Sequence, residues 1–195
     1  LGQLAHAWRN KNPQVSVLAI TGSSGKTTVK EMTAAILRRK FGNDAVLATL
    51  GNLNNHIGLP LTLLNLRKNH RVAVLEMGMN HFGELDYLTH IAKPDIALIN
   101  NALTAHIGND FNGVADIAKA KSEIYAGLNN GIAIFPYDDA NKTIFQVACG
   151  NNQQRSFGIQ NGDVSADNIQ LHPTSCKFSL NIKGEQVTVQ LPAAG

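Results

Sequence analysis

Apolar and polar positions fall into two kinds of block over the first 150 residues. Short, continuous apolar runs at 15–20, 46–50, 72–75, 96–99 and 132–135 predict buried strands. The segments between them have helical spacing. Residues 27–40 place Val29, Met32, Ile36 and Leu37 on one face, 84–92 is helical, and 114–128 carries a long apolar stripe that Gly131 closes. Pro60 suits the first turn of a helix through Leu66, and the chain starts in helix-like sequence. Apolar strands separated by helices predict an α/β fold, a mostly parallel sheet with helices on both faces. After Arg155 the period becomes two. Cys176, Phe178, Leu180 and Ile182 alternate with polar neighbours, as do Val187, Val189 and Leu191, across a Lys183-Gly184-Glu185 turn. This predicts an antiparallel hairpin paired with 164–171. The expected organisation is a core over 1–155 and a small C-terminal antiparallel β subregion over 156–195. Both ends interrupt the pattern, as in an excised domain.

Composition narrows the class. With 44% hydrophobic and 16% charged residues, the chain is no disordered polyelectrolyte. No apolar run approaches the ~18 residues of a membrane span, and residues 1–12 lack a secretory core. Cys149 and Cys176 are too few for a disulfide scaffold, which points to a reducing, cytoplasmic setting. The net charge of +3 hides an asymmetry: residues 1–71 carry ten Lys/Arg against Glu31 and Asp44, and the remainder is acidic. The longest basic run is Arg38-Arg39-Lys40, with little aromatic interleaving, so small phosphate ligands or a solvated surface suit this charge better than nucleic acid.

The candidate chemistry begins at Thr21-Gly22-Ser23-Ser24-Gly25-Lys26-Thr27-Thr28, between a buried strand and an amphipathic helix. That context makes a glycine-rich loop a phosphate loop. Gly22 and Gly25 let the backbone approach phosphate oxygens, and the amides at the helix start favour an anion. Lys26 would hold β/γ phosphates and the Thr27 hydroxyl would bind Mg²⁺. The standard loop has a glycine five positions before Gly25, where this chain has Ile20, so this is a shortened variant. The competing reading is a Gly/Ser turn with a capping hydroxyl.

Ligands of parallel sheets collect beyond the carboxyl ends of the strands. Glu76 ends one apolar run and Asn100-Asn101 another, placing both near the loop, as a metal-binding acid and polar contacts or as helix caps. His106 follows in the loop after Asn100, with Gly108 and Asn109; His81 has a weaker, similar position. Lys121 occupies a position of the 114–128 stripe that should be apolar, between Ala118 and Ile124. Buried there, it would lose proton affinity and could form a Schiff base or add carbon dioxide. The alternative is a lysine that snorkels to water. Lys119 falls off the stripe.

Four segments together resemble the Mur ligases: 21–32 (TGSSGKTTVKEM), 51–60 (GNLNNHIGLP), 76–81 (EMGMNH) and 118–125 (AKAKSEIY). The resemblance spans essentially the whole chain. Segments 52–60 and 76–84 favour the branch that adds D-Ala-D-Ala to UDP-MurNAc-tripeptide in peptidoglycan precursor synthesis, a process underlying cell shape and division. The resemblance implies the central ATP-binding domain of a three-domain, monomeric enzyme, inactive without an amino-terminal UDP-sugar domain and a carboxy-terminal domain. It implies ATP and Mg²⁺, with Lys26, Glu76, His106 and Lys121 as catalytic positions. Nucleotide contacts fall on Gly22, Ser23, Ser24, Gly25, Lys26, Thr27, Thr28, Asn100 and Asp138, and metal contacts on Thr27, Glu76, His106 and a carbamylated Lys121. Substrate contacts fall on Asn54 and Asn55. The implied chemistry is amide formation through an acyl phosphate. In the nucleoside-contacting segment, usually Asn-Ala-Asp, Pro136-Tyr137 replace the first two residues before Asp138-Asp139. The alternatives are another Mur ligase or a folylpolyglutamate synthetase-like ligase acting on a different acceptor, a non-catalytic nucleotide-binding module, and a phosphate-loop hydrolase.

Overall fold

In the computed structural model, which describes residues 1–104 and 110–192, nine strands form one sheet. In chain order the elements are α1 (Gly2–Asn10), β1 (Ser16–Thr21), α2 (Lys26–Phe41), β2 (Val46–Ala48), α3 (Gly58–Leu64), β3 (Val72–Glu76), α4 (Glu84–Ala92), β4 (Ile96–Ile99), α5 (Val114–Ser122), β5 (Ile132–Pro136), α6 (Lys142–Ala148), β6 (Gln153–Ile159), β7 (Val164–His172), β8 (Ser175–Ile182) and β9 (Glu185–Leu191). The strand order is β2-β3-β1-β4-β5-β6-β7-β8-β9. Pairing is parallel from β2 through β7 and antiparallel beyond it. The expected α/β class holds, and so does the hairpin. Its Lys183-Gly184 turn has φ of 53° and 85°, the left-handed pair of a type I′ connection. β6 spans residue 155 and pairs with β5 in parallel, so the antiparallel strands continue the same sheet.

Alternation along the parallel strands feeds two cores. Val17, Ala19, Ala73 and Leu75 point to one face, covered by α1, α3, α4, α5 and α6; Ile20, Val72 and Val74 point to the other, covered by α2. The coverage is unequal. On the α2 face, Leu98 and its register neighbour Ile134 are only half-buried.

Two expectations are corrected. The expected stripe Val29, Met32, Ile36 and Leu37 packs only in part: Val29 and Leu37 lie against the core, whereas Met32 is 44% and Ile36 68% exposed. The face that packs runs through Lys30, Ala34, Leu37 and Phe41. The helix expected over 114–128 leaves α geometry at Ser122 and continues as a 3₁₀ segment, Glu123–Gly127. The Ser122 hydroxyl donates to the Ala118 carbonyl at 2.7 Å, in competition with the helical ladder. The Thr89 hydroxyl donates to the Ile124 carbonyl at 2.7 Å, drawing this segment onto α4.

No helix among the described residues is long and apolar enough to cross a membrane. The connections place the chemistry. From β1 the chain moves outward to β2 and β3, then returns past β1 to β4, so the order reverses between β1 and β4. In open parallel sheets the crevice beyond the carboxyl ends at such a reversal is the ligand site.

Candidate functional site

The glycine loop leaves β1 at that crevice, and its two glycines are needed for different reasons. Gly25 adopts φ +73° at the head of α2, a conformation L side chains avoid. Gly22 lies so close to β4's end that a Cβ there would fall 2.9 Å from the Asn100 Cβ and 3.3 Å from the Asn101 amide nitrogen. The loop is held from β4's side. The Asn101 side-chain oxygen accepts from the Ser23 and Ser24 amides at 3.0 Å each, and the Asn100 amide group donates to the Ser24 carbonyl at 2.8 Å. The next amides, of Gly25, Lys26 and Thr27, find no acceptor among the described residues. They sit at a helix N-terminus, the standard geometry for an anion. Lys26 Nζ bridges the loop, donating to the Gly22 carbonyl at 2.8 Å.

Thr27 turns toward β3. Its hydroxyl donates to Glu76 Oε2 at 2.9 Å, and the Asn54 amide donates to Glu76 Oε1 at 2.8 Å. Glu76 is buried at the last position of β3. Thr49, just past β2, adds a contact that the sequence reading missed: its hydroxyl accepts from the Glu76 backbone amide at 3.0 Å. No group of three or more His, Cys, Asp or Glu side chains among the described residues could hold a metal. A hydroxyl and a carboxylate in contact beside a phosphate-type loop instead offer the sparse hard-oxygen set that suits Mg²⁺ completed by phosphate oxygens and water.

Lys121 is 3% exposed and has no hydrogen bond among the described residues. Burial first, and the nearby Lys26 ammonium second, lower its pKa to about 7. At this burial Lys121 does not extend into solvent as Lys119 does, which lies outward beside Asp116. A neutral amine is thus present in quantity near neutral pH.

The structure separates the two asparagines of the 51–60 segment. Asn54 reaches Glu76; the Asn55 side-chain oxygen instead accepts from the Ile57 and Gly58 amides at the head of α3. Asn55 and His56 also line a cleft of about 370 Å³ with Gly78, Phe82, Gly83 and Tyr87. Thr28 lies on the exposed side of α2. Asp138 is one strand end further along, accepting from the Ile159 amide, while Asp139 Oδ2 accepts from the Ala102 amide at 3.3 Å. His106, with Gly108 and Asn109, lies outside the described residues.

His81 is paired with Asp110 at 2.7 Å, beside the edge-to-face pair Phe82–Phe111. The hydrogen bond to Asp110, then its charge, raises the His81 pKa above 6.5. The pair therefore contributes fully below the imidazole's unfolded pKa and is lost as pH rises through the folded value. A proton-NMR titration should show His81 titrating above an exposed histidine, with Asp110→Asn returning it to the ordinary range. An unchanged midpoint in that variant would contradict the pairing.

Comparison with known proteins agrees with this geometry. A family model described as the Mur ligase middle domain matches residues 20–195. The UDP-N-acetylmuramoyl-tripeptide–D-alanyl-D-alanine ligase of Haemophilus influenzae is 45% identical over 198 residues, covering 100% of this chain and 42% of that protein. A crystal structure of MurF from Acinetobacter baumannii superposes with a TM-score of 0.94 at 46% identity, over 100% of this chain and 42% of that one. MurF ligase from Thermotoga maritima in complex with ADP matches with a TM-score of 0.86 at 30% identity, covering 98% and 44%. The chain spans about 42% of the length of the curated relatives it matches most fully.

Proposed function

The chain belongs to the Mur ligase middle-domain family, and from that premise we propose that it is the ATP-binding part of a cytoplasmic, monomeric amide ligase that joins D-Ala-D-Ala to UDP-MurNAc-tripeptide. The observation that carries this reading is the contact of Thr27 with Glu76 directly beside the glycine loop. A nucleotide-binding module without chemistry has no need of a buried carboxylate and a depressed lysine at the same rim. Residues 1–155 act as the nucleotide core; 156–195 carry the sheet on from it, through the end of β6 and β7 in parallel and through β8 and β9 in antiparallel pairing.

In this reading the loop amides and Lys26 hold the β- and γ-phosphates, with Gly22, Ser23, Ser24, Gly25, Thr28 and Asn100 shaping the cradle and Asp138 nearest the nucleoside. Thr27, Glu76, His106 and a carbamate on Lys121 would hold Mg²⁺. When bound, Mg²⁺ supplies charge neutralisation between phosphate oxygens and an incoming carboxylate. The neutral Lys121 amine would attack carbon dioxide, form the N–C bond and release one proton, placing an anion on a long arm; starting from the ammonium, two protons leave in all. Asn54 keeps Glu76 oriented, and the neighbouring cleft at Asn55 and His56 is where the peptide end of the substrate is placed.

The reaction follows in two steps. A carboxylate oxygen of the tripeptide attacks the γ-phosphorus, the bond to ADP breaks, and an acyl phosphate forms. The amine of D-Ala-D-Ala attacks the acyl carbon through a tetrahedral intermediate; phosphate leaves and the amine loses a proton. Lys26 counters the negative charge that crowds the site as two anions approach.

Phosphate release by the protein at its natural length is the deciding assay. Release is expected only with both UDP-MurNAc-tripeptide and D-Ala-D-Ala. Turnover without either would indicate a hydrolase, and turnover with a different acceptor another ligase of this fold.

A further inference from the structure

Lys30 is a charged side chain where the fold calls for an apolar one. It lies on the packed face of α2 with Ala34 and Leu37, one helical turn beyond Thr27, and its exposure is 0%. Burying an ammonium is costly unless its hydrogens are used. Lys30 Nζ donates to the Thr49 carbonyl at 2.8 Å and to the carboxylate of Glu31, which reaches back from solvent.

The Thr49 contact leads to the site. β2 has three residues and forms one outer edge of the sheet, with β3 as its strand neighbour among the described residues. Past its end, Thr49 is tied to β3 by its amide on the Val74 carbonyl and by its hydroxyl on the Glu76 amide, both at 3.0 Å. Lys30 holds the same residue from the helix side. α2 thus grips Glu76 twice: Thr27 takes the carboxylate, and Lys30 acts on the backbone through Thr49. An apolar residue at position 30 would fill the space and leave the buried Thr49 carbonyl without this donor.

We infer that Lys30 is a positioning residue for the metal-binding carboxylate: through Thr49 it fixes the end of β3 so that Glu76 and Thr27 present their oxygens together. The inference rests on the reading that Glu76 and Thr27 hold Mg²⁺. Outer contacts of this kind change metal affinity by about 10–100-fold when removed.

The test is calorimetric binding of ADP to the natural-length protein, with Mg²⁺ and with a chelator in its place. In the wild type Mg²⁺ tightens ADP binding. In Lys30→Met that tightening is expected to shrink about tenfold, while metal-free binding, governed by residues 22–27, stays within about twofold. Thr49→Val should do the same, and the double variant should be no worse than either single one, as for two residues in one chain of contacts. Equal loss with and without Mg²⁺, or no loss, would reduce Lys30 to packing and overturn the inference. If Lys30→Met does not fold, Thr49→Val and Lys30→Gln carry the test. Gln keeps a donor and is expected to retain more of the Mg²⁺ response than Thr49→Val; equal or lower retention overturns the role. Glu76→Gln separates the levels. An intact Mg²⁺ response there removes the metal reading and the inference with it, whereas a lost response there, beside an intact one in the position-30 and position-49 variants, removes the inference alone.

Discussion

Lys26→Ala is expected to lower ATP-dependent amide formation by about 10²- to 10³-fold, on the order of the 3–4 kcal/mol that one pre-placed donor to a developing anion supplies. The ammonium is already in position over the loop, 2.8 Å from the Gly22 carbonyl, and lysine carries two further hydrogens for phosphate oxygens. Alanine leaves the loop's hold on Asn100 and Asn101 untouched, because those contacts involve Ser23 and Ser24. The variant should therefore fold normally and fail at chemistry. It also removes the cation that helps depress Lys121, so the Lys121 amine should regain protons at neutral pH. Steady-state amide formation at wild-type rates in Lys26→Ala would refute the assignment of the loop.

The second large effect belongs to Lys121, where stability and function should move in opposite directions. Its pKa is about 7 in the folded protein against an ordinary 10.5. Between those values the unfolded chain holds a proton that the folded chain does not, so stability rises with pH across that window. Below pH 7 both states are protonated and the full desolvation cost of the ammonium is present. Lys121→Met should thus stabilise the protein by a few kcal/mol below pH 7 in CO₂-free buffer, with the advantage fading toward pH 10. Denaturant titrations at pH 6 and 9 measure it; an equal gain at both would show that Lys121 is not desolvated. Activity should collapse in both Lys121→Met and Lys121→Ala. Only Lys121→Ala leaves room for a small carboxylic acid, which should restore part of the rate by supplying the missing carboxylate. Absence of rescue, with an unmodified lysine in an ordered crystal structure, would count against carbamylation.

Much of this could be read from residue order because parallel sheets impose a simple grammar. Runs buried on both faces announce β1, β3 and β4, and the polar residue that ends each run is at the ligand rim by construction. Glu76, Asn100 and the loop at 21–28 were legible for that reason. Lys121 was legible as a polar residue inside an apolar stripe. Lys30 obeys the same rule, but Met32 and Ile36 suggested a helical face rotated away from the sheet and hid it. Their exposure is the case in which apolar spacing and packing disagree. Thr49 carried no signal, since a single threonine after a short strand is ordinary until the register of β2 against β3 places it beside the Glu76 amide. The distinct tasks of Asn54 and Asn55 likewise required the turn that aims one at Glu76 and the other at α3.

The polar contacts at the rim also constrain how the crevice can respond to an occupant. Ser23 is latched to Asn101 and Leu103, Ala102 to Asp139, and the adjacent Asp138 to the Ile159 amide on β6. These are successive links in a belt stitched across the tips of β1, β4, β5 and β6. A nucleotide that lifts Ser23 must either break a stitch or drag the neighbouring tips along with it. If the stitches hold, accommodation of ligand becomes a collective tilt of four strand tips that reaches β6, one strand short of β7, beyond which pairing is antiparallel.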